Sequence, residues 1–148
     1  MPIIDRFFDS GRKFLGSRYP VMCGAMTWIS DPGLVSSVCN AGGFGLLAGG
    51  NAPPDILRSQ IELTRELTAC PFGVNVITLA PNYPEHLKLV CDLGCEFVVF
   101  AGGIPKKNEI RQAKQLGILD VSARHFHTRP RLLPHLALDA DNGIGRGW

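Results

Sequence analysis

The chain has 148 residues, 45% apolar and 19% charged, with a formal net charge of +2. This is the composition of a soluble globular protein long enough for one domain with a real core, and without a single-sign charge run it speaks against nucleic acid or a membrane surface as partner. No apolar stretch approaches the ~18 residues of a membrane span, and the first twenty residues, broken by Asp5 and Asp9, lack a secretory-signal layout.

In chain order, PVMCGA (20–25) is a short apolar run closed by glycine, which predicts a buried strand. Over 31–43, Asp31 stands at an N-cap and Pro32 at the first helical position. Leu34, Val35 and Val38 then form an apolar stripe before Gly42-Gly43 stop the helix. FGLLAGG (44–50) predicts the next buried strand. Residues 53–67 place Ile56, Leu57, Ile61, Leu63 and Leu67 at roughly helical spacing. PFGVNVITL (71–79) predicts a strand, 83–94 a helix, 95–103 a strand and 105–117 a helix ended by Gly117. Four continuously apolar strands thus alternate with four helices, the pattern of an α/β fold built from parallel βα units.

Gly43-Phe44-Gly45-Leu46-Leu47-Ala48 matches the dinucleotide pattern G-x-G-x-x-A, but in the wrong place. A dinucleotide loop follows a strand and opens a helix, whereas Gly42, Gly43 and Gly45 follow a helix and open a strand. They are expected instead to form a left-handed C-cap and a tight turn. Gly49-Gly50, Gly24-Ala25-Met26 and Ala101-Gly102-Gly103 all follow strands. Three small-residue ends on one edge predict a ligand site there, because ligands of parallel α/β folds bind at the C-terminal ends of the strands.

Asn75 interrupts the apolar run FGVNVI, and asparagine is depleted in strands. It reads equally well as an amide offered to a planar heterocycle or as a buried side chain bonded to neighbouring backbone. Cys23, Cys39, Cys70, Cys91 and Cys95 are odd in number and irregularly spaced. That predicts free thiols in a reducing compartment, hence a cytoplasmic protein, and no zinc site. His125, His127 and His135 stand in an arginine- and proline-rich stretch that reads as a solvated tail.

Residues 20–26 with Trp28, Cys39–Gly43, GGNAP at Gly49–Pro53 and PFGVN at Pro71–Asn75 lie in register over roughly residues 18–118. Together they resemble the nitronate monooxygenase family, which also includes flavin-dependent enoyl-acyl-carrier-protein reductases. The resemblance implies a TIM-type (β/α)8 barrel with FMN over the C-terminal strand ends. It also implies cofactor contacts from Gly24, Ala25 and Met26, from Asn75 on the flavin ring, and from Ala101 and Gly102 at the fourth strand. A small-molecule substrate such as an alkyl nitronate is implied, with NAD(P)H as electron donor in the reductase alternative.

Such barrels need about 250 residues, so the expectation is an N-terminal half-barrel over 1–118 followed by a divergent, poorly ordered tail over 119–148. The tail has no lysine, four arginines and two prolines and lacks helical or strand periodicity. Its abrupt onset suggests an interrupted reading frame. The family's glycine-rich histidine motif is not recognised, so no catalytic residue is assigned. Three functions stay open: an FMN-dependent nitronate monooxygenase, a flavin-dependent enoyl reductase, or an inactive half-barrel that self-associates through unpaired edges.

Overall fold

The expected strands form in the expected order, as the first four of a five-stranded parallel sheet. The computed structural model describes residues 3–103, 105–115 and 119–120. The strands β1 (Met22–Cys23), β2 (Phe44–Ala48), β3 (Gly73–Ile77), β4 (Phe97–Ala101) and β5 (Leu119–Asp120) lie side by side in chain order. Every neighbouring pair is parallel. The connecting helices are α2 (Pro32–Asn40), α3 (Pro54–Leu67), α4 (Tyr83–Asp92) and α5 (Lys107–Gln115). A strand order that never reverses sends every crossover the same way, which is the logic of a barrel and not of a doubly wound sheet. The fold is a partial TIM-type α/β barrel.

Two elements depart from the expectation. A helix α1 (Ile3–Leu15) precedes β1, where no element was foreseen. Its apolar residues matter because Phe14 and Leu15 pack on the sheet, a tertiary contact invisible to local patterning. Regular structure also runs two residues into the expected tail, since Leu119–Asp120 pairs with Phe97–Val98 as β5. So short a strand has no period to read; the open ladder edge of β4 makes it. The remainder of the tail, residues 121–148, lies outside the described residues.

Alternation along the strands sorts the two faces of the sheet. Leu47, Val74, Val76, Val98 and Phe100 point to the helices, where they meet Val35 and Cys39 of α2, Leu57 and Ile61 of α3, and Leu87 and Val90 of α4 in one buried cluster. Phe44, Leu46 and Phe97 point the other way and are covered by Phe14 and Leu15 of α1. Phe97 takes Phe44 and Phe14 edge-on, at centroid distances of 4.9 and 5.9 Å. The inner face is therefore plugged by α1 at the N-terminal end of the strands. Leu46, Gly73, Phe97 and Leu119 share one rung of the ladder, and Ala48, Asn75 and Val99 share the rung two residues further along, the next on the same face.

Helices α2 and α4 end alike. Gly42 (φ +94°) and Gly94 (φ +60°) sit just past them in the left-handed region. Gly42 N–H donates to Cys39 O (2.8 Å) and Gly43 N–H to Val38 O (3.0 Å), while Gly94 N–H donates to Cys91 O and Cys95 N–H to Val90 O, each at 3.0 Å. Both are Schellman endings, in which glycine avoids the Cβ penalty. Of the glycines around the false dinucleotide motif, Gly42 thus takes the left-handed cap, Gly43 closes it through its N–H, and Gly45 lies within β2. At the other end of α2, Asp31 accepts from Leu34 N–H at 2.9 Å with Pro32 in the first turn, the expected start.

The buried thiols make the fold sensitive to alkali. Burial pushes Cys95 up to about 11 and also raises Cys39 and Cys91. Each stays protonated in the fold at a pH where the unfolded chain, with thiol pKa ~8.5, has ionised. Stability is then whole below that pH, falls as pH rises through it, and levels off above about 11 for Cys95. Urea midpoints measured from pH 7 to 11 are expected to drop across this window, with a shallower slope for Cys95→Ala. A flat profile for the parent chain contradicts this account.

Candidate functional site

The β1–α2 connection is a tight turn held from within. Ile29 N–H and Ser30 N–H both donate to Met26 O, at 3.0 and 2.8 Å. Ser30, only 3% exposed, accepts from Met26 N–H through its Oγ (2.9 Å) and donates that hydroxyl to Gly24 O (3.2 Å). The turn forces Trp28 to φ +66°, the left-handed region that bulky residues avoid, and leaves its indole 82% exposed. Gly24 faces open space: a Cβ built there meets nothing within 4 Å. Ala25 is half-buried against the inner-face cluster, and Met26 is exposed.

Asn75 sits at the centre of the inner face, on the rung between Ala48 of β2 and Val99 of β4. Both neighbours are small or modest, so the amide stands where the sheet has little side-chain cover. Asn75 is half-buried, and its amide is not among the sealed polar atoms that lack a partner. Of the two sequence readings, an asparagine sealed in the core and bonded to backbone does not describe this environment. Its carbonyl is engaged instead, accepting from Gly49 N–H at 2.9 Å.

That bond changes the meaning of Gly49-Gly50. Sequence reasoning took the pair as bare backbone for a ligand. A Cβ on Gly49 would collide with the Asn75 carbonyl, so Gly49 is bare to let β2 approach β3. Gly50 (φ +47°) makes the turn that follows, beside the Thr27 side chain. Further along the edge, Ala101 ends β4, and its carbonyl accepts from Thr78 N–H (2.9 Å) and Thr78 Oγ1 (3.1 Å). Gly102 (φ +85°) turns the chain out of the sheet and is exposed.

Gly24, Ala25 and Met26 follow β1 and Ala101 with Gly102 close β4, all at the C-terminal ends of their strands, while Asn75 lies on the inner face at the middle of β3, two residues short of the Ile77–Ala101 pair. None is ionisable, so this rim can bind through backbone and amide groups but cannot itself move protons. Sequence reasoning missed Ser30 and Thr78, which shape the rim without standing out from the serines and threonines around them. Beside the rim, Thr27, Trp28, Ser30, Asp31, Gly49 to Ala52 and Gln60 enclose a recess of about 70 Å³. That is far below the ~300 Å³ of a small-molecule pocket. Among the described residues no cluster of His, Cys, Asp and Glu fits a metal ion, and no helix is long and apolar enough to cross a membrane. His125, His127 and His135 lie outside the described residues.

Gly49→Ala tests the close approach. The new methyl must push β2 and β3 apart at Asn75, and a loss of ~1–3 kcal/mol in urea unfolding is expected. Trp28→Gly has the opposite sign. It removes a left-handed penalty of ~1–2 kcal/mol at a side chain that buries little, so stability should hold or rise slightly. A large loss in Trp28→Gly would show that the indole packs in a way its exposure denies.

The nitronate monooxygenase family profile matches residues 11–86. Over 107 residues the chain is 34% identical to a hydroxy-methyl-oxo-octahydroindene-carboxyl-CoA dehydrogenase of Rhodococcus jostii, a match covering 72% of this chain and 30% of that protein. It is 42% identical over 67 residues to a nitronate monooxygenase of Paraburkholderia phytofirmans, covering 45% of this chain and 18% of that one. The structure of FabK from Thermotoga maritima superposes with a TM-score of 0.72 at 32% identity, over 75% of this chain and 35% of FabK. The chain thus spans about a third or less of the length of these relatives. The profile takes in the last five residues of the plugging helix, the β1 turn, the glycine pair and Asn75, and on that match the chain belongs to the nitronate monooxygenase family.

Proposed function

We propose that the chain is the N-terminal part of an FMN-dependent oxidoreductase of the nitronate monooxygenase type, acting on alkyl nitronates with O2. A flavin is the cofactor the family implies; FMN and the nitronate substrate are our reading. The observation that carries it is the inner face toward the strand ends: a half-buried Asn75 between Ala48 and Val99, with uncharged backbone that is open at Gly24 and exposed at Gly102. An isoalloxazine ring has a flat, apolar body with hydrogen-bonding atoms along its margin. A rim of small residues with one amide suits such a ring, and the adjoining recess is too small to enclose it.

In this reading Gly24, Ala25 and Met26 meet the cofactor through their backbone, Asn75 bonds a polar ring atom, and Ala101 with Gly102 lie beside it. The flavin supplies the redox chemistry when bound. These residues orient the ring and shield one side of it from water. Proton handling belongs to none of them, because none titrates, and a catalytic residue is not assigned.

A second reading is a flavin-dependent NAD(P)H enoyl reductase. The likeness to FabK and to a carboxyl-CoA dehydrogenase favours it. The two are told apart by the reductant: anaerobic bleaching of a flavin-loaded sample by an alkyl nitronate supports the first, and bleaching by NAD(P)H supports the second. A third, an inactive self-associating half-barrel, is the reading left if no flavin binds.

Fluorescence-quenching titration with FMN tests the site. Asn75→Ala strands a polar ring atom and should weaken binding by ~1–3 kcal/mol, roughly 5- to 150-fold. Asn75→Asp should cost more with reduced, anionic flavin, since it brings like charge to the ring. Tight FMN binding that ignores Asn75→Ala removes Asn75 from the site.

A further inference from the structure

The strand ends are tied to one another by a run of hydrogen bonds along the C-terminal edge. Gly24 O and Met26 N–H meet at Ser30 Oγ; Ala48 N–H donates to Ser30 O (3.2 Å); Gly49 N–H donates to Asn75 O (2.9 Å). The Gly49–Asn75 link from β2 to β3 is main chain to main chain and depends on no side-chain donor or acceptor. The link that fixes the β1 turn is different. It passes through one buried side-chain hydroxyl, which holds a carbonyl and an amide of the turn while its own carbonyl anchors to the end of β2.

We propose that Ser30 is a positioning residue for this rim: it fixes Gly24–Met26 against the β2 end, and so against Asn75, without touching the ligand itself. The inference rests on the flavin reading above for its functional consequence, but not for its structural content. Without the hydroxyl, Met26 N–H loses its acceptor and Gly24 O loses a donor. The turn, already carrying a left-handed Trp28, is then free to move relative to β2. Position 30 follows Trp-Ile and precedes the helix cap Asp31, so in the sequence it passes for one more residue of a helix start.

The test uses the full chain in two states. In the flavin-free protein, amide exchange at Met26 reads the turn directly. In the presence of FMN, quenching titration reads its consequence. Ser30→Ala should speed exchange at Met26 about tenfold and weaken FMN binding about fivefold, with far-UV circular dichroism unchanged. Ser30→Thr, which keeps the hydroxyl, should stay nearer the parent chain in both. Ser30→Cys, a weak acceptor of similar volume, takes the place of Ser30→Ala if that variant does not fold, with the same expected directions. Unchanged exchange at Met26 overturns the proposal, as does FMN affinity equal to that of the parent chain. Faster exchange in Ser30→Ala when even the parent chain takes up no FMN supports the coupling and overturns the flavin reading alone.

Discussion

The rim stands on a floor, and the floor exists because residue 73 has no side chain. A Cβ on Gly73 would lie 2.5 Å from Leu46 Cδ2, 3.2 Å from Phe44 Cε1 and 3.4 Å from Phe97 Cβ. Those three side chains occupy the space that a larger residue on the central strand would claim. The lower rungs of the inner face hold Phe44, Leu46 and Phe97, sealed beneath by Phe14 and Leu15; the rung above holds Ala48, Asn75 and Val99, and Ile77 stands opposite Ala101 at the top. Interiors pack at crystal-like density, so the bulk placed low closes the N-terminal end of this face.

The same economy of side chains governs the outer face. Gly45 brings the backbone of β2 within reach of α2, where a Cβ would sit 2.9 Å from Val35 O. Close seating of α2 sets where its first residue begins, and therefore where the β1 turn must end. The turn has few residues in which to leave β1, pass Trp28 and reach the cap at Asp31. Within that span the Ser30 hydroxyl and the Met26 carbonyl hold its conformation.

Much of this was legible in the residues. The strands β2, β3 and β4 are five-residue apolar runs between glycine and proline punctuation, and Asp31-Pro32 announces a helix by capping chemistry alone. The false dinucleotide motif was rejected on polarity, and Gly42, just ahead of it, does end a helix in left-handed backbone. What escaped were features defined by a distant partner. Helix α1 is held by Phe14 on Phe97, eighty-odd residues away in sequence. Strand β5 is a two-residue addition to an existing edge. Gly49 looked like a ligand contact because nothing local says that the carbonyl of Asn75 will arrive opposite it. Local patterns report periodicity and caps; they do not report who stands across a ladder.

Trp28 gathers these constraints in one residue. A left-handed backbone at a bulky side chain costs ~1–2 kcal/mol, and such strain persists only where the surroundings over-determine it. Here burial is not the compensation, because the indole is 82% exposed. The offset comes from the bonds that close the turn on either side of it, Ile29 and Ser30 N–H to Met26 O and Met26 N–H to Ser30 Oγ. Each contributes about 0.5–1.5 kcal/mol, so together they suffice. The fold thus accepts strain to hold a large aromatic outward beside an edge of small residues. A residue selected for stability alone at that position would be glycine or asparagine.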